Sequence, residues 1–137
     1  ALYEMTKQHY RSVFNEESHL LNFVSNFVAL PSKDPPSPHY TGGAVDLTIA
    51  NKDGWLNMGT DFDDFTDKAS ALYFERKENL TIEELEIRDN RRLLRNSMES
   101  VGFTFYTNEW WHFDYGNLRW AKARNKSPIY EGIELNI

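Results

Sequence analysis

A chain of 137 residues, 40% apolar and 15% aromatic, is long enough to bury one core and too short for two ordinary domains, so residues 1–137 read as a single domain. Fifteen Lys and Arg against 21 Asp and Glu leave a formal charge of −6, which disfavours nucleic acid and membrane lipid as partners. Cys is absent, which excludes disulfides, thiolate nucleophiles and Cys-type metal sites; a metal would have to be held by the four His and the carboxylates.

From Leu2 to about Leu30, apolar residues recur at helical spacing, which predicts one or two helices with a break near Asn15 to Ser18 and Ser18 as a cap. Four prolines between Leu30 and Pro38 then rule out helix and central strand and predict a PPII-like loop. Ala44 to Ala50 reads as a strand with Val45, Leu47 and Ile49 on one face and Asp46 and Thr48 on the other. Asp53-Gly54 signals a tight turn, and Trp55 to Met58 reads as the returning strand. The acidic stretch Gly59 to Asp67 reads as loop.

Thr81-Ile82-Glu83-Glu84 fits a capping box, and Leu85, Leu93, Leu94, Met98 and Val101 supply the apolar stripe of the helix it opens, with Gly102 as its stop. Phe103 to Tyr106 and Trp110 to Tyr115 read as aromatic strands, and Leu118 to Ala121 as a third. Helices first and in the middle, with hairpin-like strands between, give an α+β class with a mainly antiparallel sheet and flanking helices.

Without Cys, chemistry must come from His and carboxylates brought together in space. His39 lies in a constrained loop and Asp46 on the polar face of the next strand, so the two can converge on one cation. In Glu109-Trp110-Trp111-His112, strict alternation would put Glu109 and His112 on opposite faces, but a bulge near the strand start would let both serve one site. Singly, each has an ordinary structural reading as a loop His, a strand-end acceptor or an aromatic core residue. Jointly, two His and one Asp make a three-ligand site with a fourth position open, the arrangement zinc uses in catalysis, and a neighbouring non-ligand Glu can take a proton from the attacking water.

The pair Ser37-x-His39-x-x-Gly42-x-Ala44-x-Asp46 and Glu109-x-Trp111-His112 resembles the signature of the zinc D-alanyl-D-alanine dipeptidases. That family belongs to a wider group with D,D-carboxypeptidases, phage L-alanyl-D-glutamate peptidases and the signalling domain of hedgehog proteins. The resemblance implies that His39, Asp46 and His112 bind Zn2+ on the sheet, that Glu109 is the general base, and that the substrate is a small D-amino-acid dipeptide, D-Ala-D-Ala. It further implies that Asp63, in Met58-Gly59-Thr60-Asp61-Phe62-Asp63, binds the substrate's free ammonium, that Ser37 hydrogen-bonds the substrate, and that Trp111 walls the site. The alternatives are a D,D-carboxypeptidase or a peptidase of cell-wall stem peptides, or a zinc-binding module without catalysis.

The chain departs from the family in one respect. These dipeptidases carry an Arg in a segment resembling Asp-x-Tyr-Arg-Pro, upstream of the first metal-binding His, that stabilises the oxyanion. Here no Arg-Pro pair exists; Arg11 precedes His39, but its surroundings do not match that segment. The opening at Ala1 without an initiator Met fits an N-terminal truncation, with a fragment of the same protein as an associated partner. The absence of a signal core and of Cys suits the cytoplasm, or the periplasm if a leader has been lost.

Overall fold

The structure, a computed structural model, describes residues 2–21 and 37–132. The chain divides into two units, residues 1–37 and residues 38–137, each described by itself. In the first, helix α1 (Leu2–Tyr10) ends in a turn over residues 11–13, and helix is present again over residues 17–21, so the break falls where expected but Ser18 lies inside the helix rather than capping it. Lys7 pairs with Glu17 at 2.8 Å. The proline-rich loop expected from Leu30 to Pro38 lies almost wholly outside the described residues.

The second unit is built on a three-stranded antiparallel sheet, ordered β1 (Ala44–Asp46), β5 (Glu109–Asp114), β4 (Thr104–Tyr106), with a separate hairpin of β2 (Ala50–Asn51) and β3 (Gly54–Trp55). The aromatic run of β5 is the central strand, hydrogen-bonded on both edges, and five of its six residues are buried. Trp110, Trp111 and Phe113 join Met58, Ala69 and Leu94 in the core, with Leu47, Ile49, Leu56, Met98, Phe103 and Phe105 packed around them. The α+β class with an antiparallel sheet is as expected.

The strand expected from Ala44 to Ala50 is interrupted. After Asp46 pairs with His112, Leu47 N–H still donates to the Trp111 carbonyl, but the chain then leaves the sheet to enter the β2–β3 hairpin. The returning strand is shorter than Trp55 to Met58, because β3 ends at Trp55. The end of the acidic loop and the residues after it fold as a 3-10 turn (Asp67–Ala69) and a one-turn helix, α2 (Tyr73–Arg76).

Helix α3 (Ile82–Ser100) has the expected capping box, with Thr81 Oγ1 accepting from Glu84 N–H and Glu84 from Thr81 N–H. Its end is a Schellman turn: Gly102 adopts φ 97° and Phe103 N–H donates to the Met98 carbonyl. The buried face differs from the expected stripe. Ile87, Arg91 and Leu94 are buried, whereas Leu85, Leu93 and Val101 are exposed. Arg91 hid the true face because a buried arginine reads as polar. It donates to the carbonyls of Met58, Lys68 and Ser70 and lies over the Phe74 ring, so it stitches the acidic loop to the helix.

Leu118 to Ala121 is not a strand. It begins helix α4 (Leu118–Arg124), capped by Asn117, whose Oδ1 accepts from Trp120 N–H. Trp120 and Ala121 face inward while Leu118 is partly exposed; four residues are too few to separate that helical pattern from alternation.

Candidate metal centre

His39 sits in a 3-10 turn (Pro38–Thr41) closed by Thr41 Oγ1 donating to the Pro38 carbonyl at 2.6 Å and Gly42 N–H to the His39 carbonyl at 3.1 Å. The chain then passes so close to β5 that a Cβ on Gly43 would come within 2.5 Å of the Tyr115 carbonyl oxygen; only glycine fits there. This close passage sets the register in which Asp46 and His112 are direct cross-strand partners on adjacent strands. His112 Nδ1 consequently lies 3.1 Å from Asp46 Oδ1, and His39 Nε2 lies 3.4 Å from Asp46 Oδ2.

The two imidazoles meet edge to face, with ring centroids 4.8 Å apart and planes at 87°. One donor atom from each of His39, Asp46 and His112 falls within 4.8 Å of the other two. Donors around a tetrahedral zinc with bonds of about 2.0–2.1 Å stand roughly 3.3 Å apart; the 3.1 and 3.4 Å contacts are of that order but reach different oxygens of Asp46, so the three donors must draw in from their 4.8 Å spread to close on one ion. Two imidazoles and one carboxylate also match the donor chemistry of a catalytic zinc site. His112 is buried, whereas His39 and Asp46 are exposed, so the cluster is open to solvent on one side.

Glu109 reaches the same cluster through a break in strand register. On β4, Phe105 faces Phe113 and the next residue, Tyr106, faces Glu109, so β5 carries extra residues in an irregular bulge. Glu109 Oε2 lies 3.7 Å from His112 Nδ1. Burial raises the Glu109 carboxyl; His112 and Arg119 oppose the shift, Asp46 and Asp63 add to it, and the balance pushes it up to about 7. Burial alone would lower the pKa of His112, but hydrogen bonds to Asp114 and Asp46 and their charges outweigh it and push it up to about 9.

Asp63 is exposed and backbone-strained at φ 56°, and its charge is felt at Glu109. Trp111 is 1% exposed and packs in the core. Ser37 is the last residue of the first unit and is half-buried. A cavity of about 450 Å³ lies along the acidic loop, lined by Trp55, Asp61, Phe62, Asp64 and Trp110 among others, and none of the three donors lines it.

Three residues beside the cluster were not picked out from the sequence. Asp114, two positions after His112 and on the same strand face, puts Oδ1 2.9 Å from His112 Nε2. Asn117 Nδ2 donates to Asp114 Oδ1 at 2.6 Å and to the Gly43 carbonyl at 3.0 Å. The Arg119 guanidinium stacks on Tyr106 at 3.8 Å, with Nη1 3.4 Å from both His112 Nε2 and Asp114 Oδ2. The i, i+2 spacing of His112 and Asp114 on a strand was the available signal.

Comparison with known proteins points to one family. The family described as D-ala-D-ala dipeptidase matches residues 8–127. A D-alanyl-D-alanine dipeptidase of Synechocystis is 32% identical over 126 residues, covering 86% of this chain and 51% of its own length. The D-alanyl-D-alanine dipeptidase of Enterococcus faecalis is 38% identical over 79 residues, 56% of this chain and 36% of its own length, and that of Escherichia coli is 34% identical over a similar stretch. The chain thus spans about half the length of the first of these relatives and about a third of the others. Among the described residues, no helix is long and apolar enough to cross a membrane.

Proposed function

The chain belongs to the D-ala-D-ala dipeptidase family of metallopeptidases, and from that premise we propose that it is a zinc-dependent dipeptidase hydrolysing D-Ala-D-Ala. The observation that carries the reading is the convergence of His39, Asp46 and His112 within 4.8 Å, with Glu109 beside them. In this reading His39 Nε2, one Asp46 oxygen and His112 Nδ1 hold the ion. When bound, zinc supplies acidification of a water to a pKa of about 7 and polarisation of the scissile carbonyl.

Glu109, about 7 before the ion adds its charge, takes the proton of the attacking water and passes it to the departing amine of the second alanine. Asp63, whose charge is felt at Glu109, receives the substrate ammonium. Ser37 is retained as a hydrogen-bonding contact to the substrate, and Trp111 acts on the site only as the core support beneath β5. An arginine for the oxyanion would come from outside the two signature segments; its loss costs about 100- to 1,000-fold in turnover.

The test is release of D-Ala from D-Ala-D-Ala by the full chain with one equivalent of zinc, set against a chelated control and against N-acetyl-D-Ala-D-Ala. Zinc-dependent cleavage of the free dipeptide, with the acetylated one at least about tenfold slower, is expected, because a carboxylate that binds an ammonium is left unpaired by an amide. Equal cleavage of both would remove the ammonium-binding role of Asp63 and favour a D,D-carboxypeptidase or stem-peptide peptidase. Bound zinc with no cleavage of either would favour a non-catalytic zinc module.

A further inference from the structure

Asp114 is a carboxylate with no solvent exposure at all, placed behind the metal-facing edge of His112 rather than in front of it. The two nitrogens of His112 face different acids: Nδ1 looks at Asp46 and Glu109, and Nε2 at Asp114 Oδ1 at 2.9 Å. An ionised carboxylate has no hydrogen to give, so Nε2 keeps its proton against Asp114, and Nδ1, which faces Asp46 at 3.1 Å, is the nitrogen that must give up its proton to present a lone pair to an ion. Arg119 Nη1, at 3.4 Å from Nε2, is farther away and donates to Asp114 Oδ2 instead.

Asp114 is itself pinned. Its Oδ1 also accepts from Asn117 Nδ2, and the same amide group donates to the carbonyl of Gly43, the residue between His39 and Asp46 in the chain. Asn117 is moreover the N-cap of α4, so its own rotamer is fixed by Trp120 N–H. One buried pair of polar side chains therefore ties the segment bearing His39 and Asp46 to the strand bearing His112. No buried side-chain polar atom among the described residues lacks a partner, so the network around the pair is fully satisfied.

We propose that Asp114 is the positioning residue of the metal centre: with Asn117 behind it, it holds His112 in the tautomer and ring orientation that aim Nδ1 at the ion. This rests on the zinc reading above. A carboxylate behind a metal-bound imidazole raises the ligand's basicity and removes its freedom to flip, so its removal weakens the metal rather than the fold alone.

Zinc affinity of the full chain, read by chelator competition, tests the proposal with wild type, Asp114→Asn, Asp114→Ala and His112→Ala, alongside thermal unfolding of each metal-free protein. Asn keeps an oxygen acceptor for Nε2–H and loses the charge; Ala loses both. The expected order is wild type, then Asp114→Asn about tenfold weaker, then Asp114→Ala up to about 100-fold weaker. With cobalt in place of zinc, the visible bands of the variants should shift, which a residue serving only the fold would not cause. If Asp114→Ala does not fold, Asp114→Asn decides. Zinc bound by Asp114→Asn within twofold of wild type, with His112→Ala unable to bind, would overturn the positioning role and leave the zinc reading intact. Zinc retained in full by His112→Ala, or not bound by wild type, would overturn the zinc reading and this inference with it.

Discussion

Glu109→Gln is expected to lower turnover of D-Ala-D-Ala by roughly 10²- to 10⁴-fold while leaving zinc affinity within a few-fold of wild type. The two halves follow from where the carboxylate stands. Glu109 Oε2 is 3.7 Å from His112 Nδ1 and is not one of the three donors that cluster within 4.8 Å, so the ion does not depend on it. Its burial holds the carboxyl near 7, where it can both accept and return a proton; a bound cation draws the value down and keeps it ionised at neutral pH. Glutamine fills the same volume and offers no basic oxygen. Paired measurements of kcat and zinc stoichiometry check the claim, and wild-type turnover in the variant would remove Glu109 from the mechanism.

His112→Ala is expected to abolish zinc binding at micromolar metal and with it all zinc-dependent cleavage. Of the three donors, His112 alone is buried, and it alone has its second nitrogen anchored by a buried carboxylate. Its loss also strips Asp114 of its nearest partner, and breaking a buried charged pair costs on the order of 3 kcal/mol. The metal-free variant should therefore melt below metal-free wild type, so stoichiometry must be measured at a temperature where it remains folded. His39→Ala, at an exposed site on a short turn, should lose zinc with little change in melting. Full zinc occupancy in His112→Ala would exclude it as a ligand.

What could be read from the sequence and what could not divide along physical lines. The capping box at Thr81 and the glycine stop at Gly102 are local chemistry, fixed by residues a few positions apart, and both stand where they were expected. The bulge that allows Glu109 and His112 to share a site was inferable because two chemically compatible groups sat at a spacing that strict alternation forbids. The buried face of α3 was not legible, since it contains an arginine whose three carbonyl partners are 21 to 33 residues away in sequence. Trp111, read as an aromatic core residue from its composition and as a site wall from the resemblance, is 1% exposed and packs in the core. The α4 segment reads as strand from Leu118 to Ala121 because four residues are too few to separate a helical pattern from alternation. Asp114 was in plain view two residues after His112, and its meaning depended on knowing which nitrogen of that histidine faces the ion.

The most direct test of the account is X-ray absorption at the zinc edge of the zinc-loaded full chain, repeated on His112→Ala and on a His39→Ala, Asp46→Ala double variant. Expected is a four-coordinate zinc with two imidazole nitrogens and light oxygen donors at about 2.0–2.1 Å in wild type, and no protein-bound zinc signal from either variant after desalting. A wild-type spectrum without two imidazoles, or one unchanged by these substitutions, would contradict it.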